Sequence, residues 1–353
     1  MNKRKLGLAV SLVLALSLLT GCGGNEQASK PTATGEKKDA GASTAAITLQ
    51  LAHVNPSKDE DNLQHACLAF ASKLKELSGG TMTVKVIGDS QLGSDREVIE
   101  GMQMGTVDMS LSMNSSLGSF NPKLQVLDLP FLFTNRKQVY AVFADDSIMG
   151  PLKKDLYEKN NILILGMMDN GFRNCLNNVR PINSIDDIKG MKLRLAENAI
   201  WSDCFKAFGA SPTTMAFSEV YTACQQGTVD GFELPVASTF SGGYWEVCKY
   251  YSLTEHLFTA LDLCMSRITW DKLSKDQQKW VNEATAFAVK ENYSYIQKQE
   301  EKWLKTIGEK MKVNKCADKS GFVKAAQTVY AKYADQIGKD ELDKVMKKVA
   351  SVK

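Results

Sequence analysis

The side chains that most often carry catalysis are few in this chain and poorly spaced for it. Three histidines occur, His53, His65 and His256, and none stands in an HExxH pattern or at another ligand spacing. Zinc hydrolysis and histidine acid/base chemistry therefore lose their usual parts, and no metal is expected. Besides Cys22 there are Cys67, Cys175, Cys204, Cys224, Cys248, Cys264 and Cys316, with no CxxC and no tight cluster. That argues against a zinc site and a full disulfide framework; most fall in apolar patterns as small buried hydrophobes, leaving room for one or two disulfides of undetermined pairing. There is no GxSxG, no GxGxxG after a strand and no GxxxxGK[ST], so serine-hydrolase and nucleotide chemistry have no local support. Glu219, Asp230 and Glu233 are the carboxylates on which an envelope enzyme acting on small acids would draw, but no nucleophile, base or metal set accompanies them. No enzyme activity and no cofactor are expected. What remains is recognition by arginine, whose planar, permanently charged fork matches a carboxylate.

The elements that would hold such a group follow a regular order. Residues 47–54 read as a strand, followed by a helix with Leu63, Cys67, Phe70, Leu74 and Leu77 at three- and four-residue spacing, stopped by Ser78-Gly79-Gly80. A β-branched strand over 83–87 comes next, and the stretch 88–93 is a turn. Ser94-Asp95-Arg96-Glu97 is a capping box opening a helix that closes near Gly105, and 107–113 is a strand. Residues 126–133, interrupted by Pro130, read as a core-facing strand or connector. Further on come a helix over about 136–158, strands at 162–167 and 191–195, and a helix over 199–208. Ser218 is expected to cap a short helix over 219–226, before a strand at 229–232. This alternation predicts two α/β units with a mainly parallel sheet. From Ser274 a helical pattern runs for about 36 residues without proline, roughly 50 Å, long enough to brace two lobes.

The amino end is different in kind. Lys3, Arg4 and Lys5 precede an apolar run over 6–19, which is a secretory leader and too short for a comfortable membrane span. Leu19-Thr20-Gly21-Cys22 places small residues before a cysteine, so 1–21 is read as a lipoprotein signal and Cys22 as the lipidated first residue. Residues 22–46 are polar and small and read as a tether. Removing the leader's three cations from a net charge of +3 leaves a neutral chain with no broad basic face for nucleic acid. At 44% apolar and 24% charged residues, the whole chain has an ordinary globular composition, and the part after the tether is long enough for two cores.

Several segments together carry a family resemblance. They are Gln91-Leu92-Gly93-Ser94-Asp95-Arg96-Glu97, Leu127-Asp128-Leu129-Pro130-Phe131-Leu132-Phe133, Asn170-Gly171-Phe172-Arg173, Ile188-Lys189-Gly190-Met191-Lys192-Leu193-Arg194, Phe217-Ser218-Glu219-Val220-Tyr221-Thr222-Ala223 and Val229-Asp230-Gly231-Phe232-Glu233. In order and spacing the chain resembles the extracytoplasmic solute receptors of tripartite ATP-independent periplasmic (TRAP) transporters, from Ile47 into the long helix. The resemblance implies a periplasmic-binding-protein-like α/β fold: two lobes, a ligand cleft between them and a long helix spanning both. Lobe I would take 47–171 plus about 260–299, and lobe II 172–259 plus about 300–353. It also implies capture of a small organic acid by hinge closure and delivery to membrane permease subunits without ATP.

The resemblance makes Arg194 the carboxylate anchor, where an arginine read in isolation is more often a surface ion-pair partner. Arg173 matches a second position that reaches ligand, or else an arginine that holds a strand. Phe217 and Tyr221 are placed against the cleft, Tyr221 with a core aromatic as its alternative. Glu197 and Asn198 follow Arg194 closely enough to meet ligand hydroxyls, or to cap the next helix. Two positions depart from the family pattern. Gln-Glu-Asn-Pro becomes Phe232-Glu233-Leu234-Pro235, so Leu234 replaces an amide beside Glu233, and Ala196 replaces a proline. The first change favours a less polar acid.

Overall fold

The computed structural model describes residues 46–352; the expected leader, Cys22 and the tether as far as residue 45 lie outside the described residues. The chain opens as its pattern predicts, with β1 Ile47–Ala52, α1 Asn62–Leu77, β2 Met82–Ile87, α2 Asp95–Met104 and β3 Met109–Met113. The apolar stripe of α1 is buried, and Asp61 caps it by accepting from the amides of Leu63 and Gln64. In α2 the capping box of Ser94 and Glu97 forms in both directions, and Gly105 ends the helix at φ 74°, where a side chain would be strained. The turn at 88–93 places Asp89 and Ser90 at positive φ.

Further on, two expectations are corrected and one is narrowed. After the short α3 Asn114–Leu117, the helix expected over 136–158 is two, α4 Arg136–Phe143 and α5 Asp146–Asn160. Asp145 breaks it by turning its carboxylate onto the Ser147 amide and starting a new helix. Of the two readings of 126–133 the connector holds: the stretch is the end of a 3-10 turn, Pro122–Asp128, and the connector after it. The strand at 162–167 continues as β4 Ile162–Asn177, followed by β5 Lys192–Leu195, α6 Ala199–Ala207, β6 Ser211–Thr214, α7 Val220–Gln225, β7 Gly231–Pro235 and α8 Val236–Gly242. Ser218 makes no capping bond, because it lies inside a 3-10 turn, Phe217–Glu219, that leads directly into α7. Then come β8 Tyr250–Ser266, α9 Arg267–Trp270, α10 Lys275–Lys310, β9 Lys312–Lys315, α11 Ser320–Ile337 and α12 Lys339–Ser351.

All strands join one sheet in the order β2-β1-β3-β8-β4-β7-β5-β6, with β9 also on β8. The outer pairs are parallel, as the alternation predicts. The middle is antiparallel, because β4 and β8 run past each other over most of their length and connect the two α/β lobes. Their pairing slips at Ile164/Gly166, Asp169/Gly171 and Arg173/Cys175, which bends the ribbon.

The 36-residue α10 serves both lobes. Its first half gives Val281, Ala284 and Ala288 to the core around Leu49, Phe70 and Leu261, and its second half gives Ile296, Trp303 and Ile307 to the core around Leu176 and Phe232. Midway, Asn292 accepts from the Asp169 amide at 2.7 Å and donates to Asn62 at 3.0 Å, fixing α10 to β4 and α1. At the carboxyl end, α11 packs on α6, but α12 packs on α4 and α5, with Lys348 2.8 Å from Asp145. The last helix thus sits against α4 and α5. Its apolar stripe, Leu342 and Val345, is buried there. All seven described cysteines are buried free thiols, with the sulfurs of Cys224 and Cys248 3.3 Å apart.

One buried acid sets a pH dependence. Asp262 on β8 is fully buried beside Ser112 of β3, and neither carboxyl oxygen has a hydrogen-bond partner among the described residues. Burial pushes it up to about 7, outweighing the pull of Lys153. The folded state therefore holds a proton that the unfolded chain loses near its ordinary value of about 4. Stability falls as pH rises from about 4 to about 7 and levels off above. Asp262→Asn is expected to raise the melting temperature at pH 7.5 by a few degrees and to flatten that slope. Melts of both proteins across this range check it; parallel curves would refute the assignment.

Candidate functional site

Two adjoining cavities lie between the lobes and share Asp95, Met113, Arg194 and Phe217. One wall is the amino end of α2 and the end of β3. The other is the end of β5 and the segment after β6. Nearby, the loop before α1 is tied to α8: Lys58 donates to the Ser241 carbonyl at 3.0 Å, and the Ser241 hydroxyl donates to Asp61 at 2.6 Å.

Arg194 projects from β5, a strand held between β6 and β7, and is 2% exposed. Its Nε and Nη2 donate to the Met215 carbonyl at 3.0 and 2.7 Å, and its Nη1 has no acceptor among the described residues. Burial pushes the guanidinium down to about 10, against the opposing pull of Glu233, Tyr244 and Asp95. It stays charged at neutral pH, so the shift marks a buried cation short of a matched anion.

Arg173, on β4, is also buried, but every N–H is used. Nε bonds the Glu233 carboxylate; Nη2 bonds that carboxylate and the Glu233 carbonyl, both at 2.8 Å. Nη1 donates to Thr259 at 3.2 Å and to the Met113 sulfur at 3.6 Å, and the guanidinium lies 4.8 Å over the Trp201 ring. Burial alone would raise Glu233; the Arg173 charge and its bonds, with His256 3.5 Å away, hold it below the ordinary range. Arg173 reaches the second cavity as wall, with no donor to spare, and Glu233 stands behind it.

The other sequence candidates divide. Phe217 lines both cavities, Leu234 the second, and Glu197 sits exposed at the rim of the first. Tyr221 lines neither, since α7 turns its hydroxyl to Glu246 at 2.6 Å. Asn198 caps α6 by accepting from the Trp201 amide at 3.1 Å, the alternative already open to it. Asp95 is a wall residue that the sequence conceals. As the first residue of α2 it reads as a helix-dipole partner, yet it lines both cavities beside Arg194. Burial, with a contribution from Glu197, pushes its carboxyl up to about 6 against the opposing effect of Ser112 and Arg194. Chemically the site is one buried cation with unused N–H groups in a largely apolar enclosure, an arrangement for an anion.

Residues 51–336 match the model of the bacterial extracellular solute-binding proteins, family 7. The chain belongs to that family. It is 33% identical over 310 residues to a solute-binding protein of Verminephrobacter eiseniae, covering 86% of this chain and 90% of that one. It is 31% identical over 238 residues to the 2,3-diketo-L-gulonate-binding periplasmic protein of Escherichia coli, 67% of this chain and 72% of that one. Among solved structures, a TRAP periplasmic solute binding protein from Polaromonas bound to D-erythronate superimposes with a TM-score of 0.82 at 30% identity, covering 87% of this chain and 99% of that one. The family bears out the TRAP-receptor resemblance and the two-lobed fold, and its members work outside the cytoplasm as binding proteins.

Proposed function

We propose that this family-7 receptor captures a small organic carboxylate between its lobes, anchors it on Arg194 and delivers it to a TRAP-type membrane permease, without turnover of the acid and without ATP. Lipid on Cys22 holds it at the membrane. The carrying observation is the Arg194 guanidinium, buried at the wall shared by both cavities with Nη1 unengaged. Related proteins named for 2,3-diketo-L-gulonate and solved with D-erythronate, both acids, support the ligand class.

Phe217 sheds water from the acid, Glu197 guards the rim, and Arg173 with Glu233 stiffens the wall behind. The lobe boundaries at 171/172 and 259/260 are supported by the register shifts at Asp169/Gly171 and Arg173/Cys175, opposite Ala260, Thr259 and Leu257. The ligand drives closure there only by binding the closed form better.

Calorimetry with a library of carboxylates and their uncharged amides tests the reading. An acid should bind and its amide should not, with X-ray scattering showing contraction on binding. An amide that binds as tightly as its acid sinks it.

A further inference from the structure

The cavity wall also limits the kind of acid, an inference that rests on the carboxylate reading above. Arg194 is the only buried wall arginine with an unused donor among the described residues: Arg173 is saturated by Glu233, Thr259 and Met113, and Arg96, bonded to Glu100 through Nε at 3.0 Å, is exposed at the rim of the first cavity. The buried wall therefore has one place for one carboxylate. Beside it stands Asp95, which faces the same space and would meet a second carboxylate with like charge.

The second cavity, into which the rest of the ligand would extend, is mostly hydrocarbon and thioether: Val54, Leu63, Met113, Phe217 and Leu234. Its polar side chains are partly committed to each other. Asn55 donates to Asp61 at 2.9 Å and to Ser238 at 3.4 Å, and the Asn170 side-chain oxygen accepts from Asn62 at 3.2 Å. A polyhydroxylated chain placed there would have more hydroxyls than Asn55, Asn170 and Ser238 can pair, whereas an aliphatic body would lose only water. Asp95 is the exception, a carboxyl beside the anchor able to take one hydroxyl.

We infer that the ligand is a short aliphatic monocarboxylic acid carrying a hydroxyl close to the carboxylate, its carboxylate on Arg194, its hydroxyl on Asp95 and its hydrocarbon against Leu234, Met113 and Phe217. Dicarboxylates and sugar acids are disfavoured, the first by charge and the second by unpaired hydroxyls.

The test is calorimetry at pH 7.5 on the purified wild-type protein with 2-hydroxyisovalerate, 2-hydroxyisocaproate, 4-methylvalerate, succinate and galactonate. The hydroxy acids should bind at least about ten-fold more tightly than succinate and galactonate, and more tightly than 4-methylvalerate, which lacks the hydroxyl. Asp95→Asn, which removes the like charge, should narrow the gap to succinate. Tightest binding of succinate or galactonate, or an unchanged succinate gap in Asp95→Asn, would overturn the assignment while leaving the carboxylate reading intact. If none of the five acids binds while a neutral solute does, both fall.

Discussion

Arg194→Ala is expected to weaken ligand binding by about 2–5 kcal/mol, from roughly thirty-fold to a few thousand-fold in Kd. The magnitude follows from the enclosure. The guanidinium is 2% exposed, and its N–H groups not bonded to Met215 would meet the acid where water competes little. Removing it leaves a carboxylate to enter the same apolar space with no cation, so the desolvation of that charge falls on the complex. Arg194→Lys should fall between the two, since it keeps the charge but loses the planar fork. The ligand-free protein should hardly notice either change. The shift of the guanidinium down to about 10 shows that burying this cation costs the empty receptor stability, so Arg194→Met should melt at or above the wild-type temperature. Calorimetry and thermal melts on the same samples separate the roles: unchanged affinity, or a large loss of ligand-free stability, would remove Arg194 as the anchor.

The contrast between the two arginines marks where the sequence is legible. Local rules carry α1, α2 and α10, whose caps and apolar spacing are written in a few adjacent residues, and the 36-residue length of α10 predicts its service to both cores. They do not carry β8. Its carboxyl-terminal half is buried on both faces, so no alternation announces it, and its pairing with β3 and β4 joins residues far apart in sequence. The same long-range pairing decides the site. Arg173 and Arg194 look alike in the sequence, and only the register of β4 against β7, which sets Arg173 opposite Pro235 and beside Glu233, saturates one while the other stays open. Tyr221 turns away because α7 starts after a 3-10 turn, a shift too small for helical spacing to register. Asp95 escapes because its place in a capping box already accounts for it.

Arg173→Met should therefore fail in a different way, by unfolding. Glu233 is fully buried and is held ionised by Arg173 and His256, so removing the guanidinium leaves a charge without its main partner in the interior. Breaking such a pair costs about 3–5 kcal/mol, a large part of the stability of an ordinary domain. The double variant Arg173→Met, Glu233→Leu should recover much of the loss, because both the charge and its need for a partner are gone. The pair also titrates in a known direction. The Glu233 carboxyl lies below its ordinary value in the folded state, so its stabilisation is complete above about pH 4.5, the unfolded value, and is lost as pH falls through the folded one. Urea unfolding of the wild type, the single variant and the double variant at pH 7.5 and pH 4 provides the measurement. A single variant as stable as wild type at pH 7.5, or a double variant no better than the single, would show that Arg173 is not the structural partner of Glu233, and would reopen it as a second cation for the ligand.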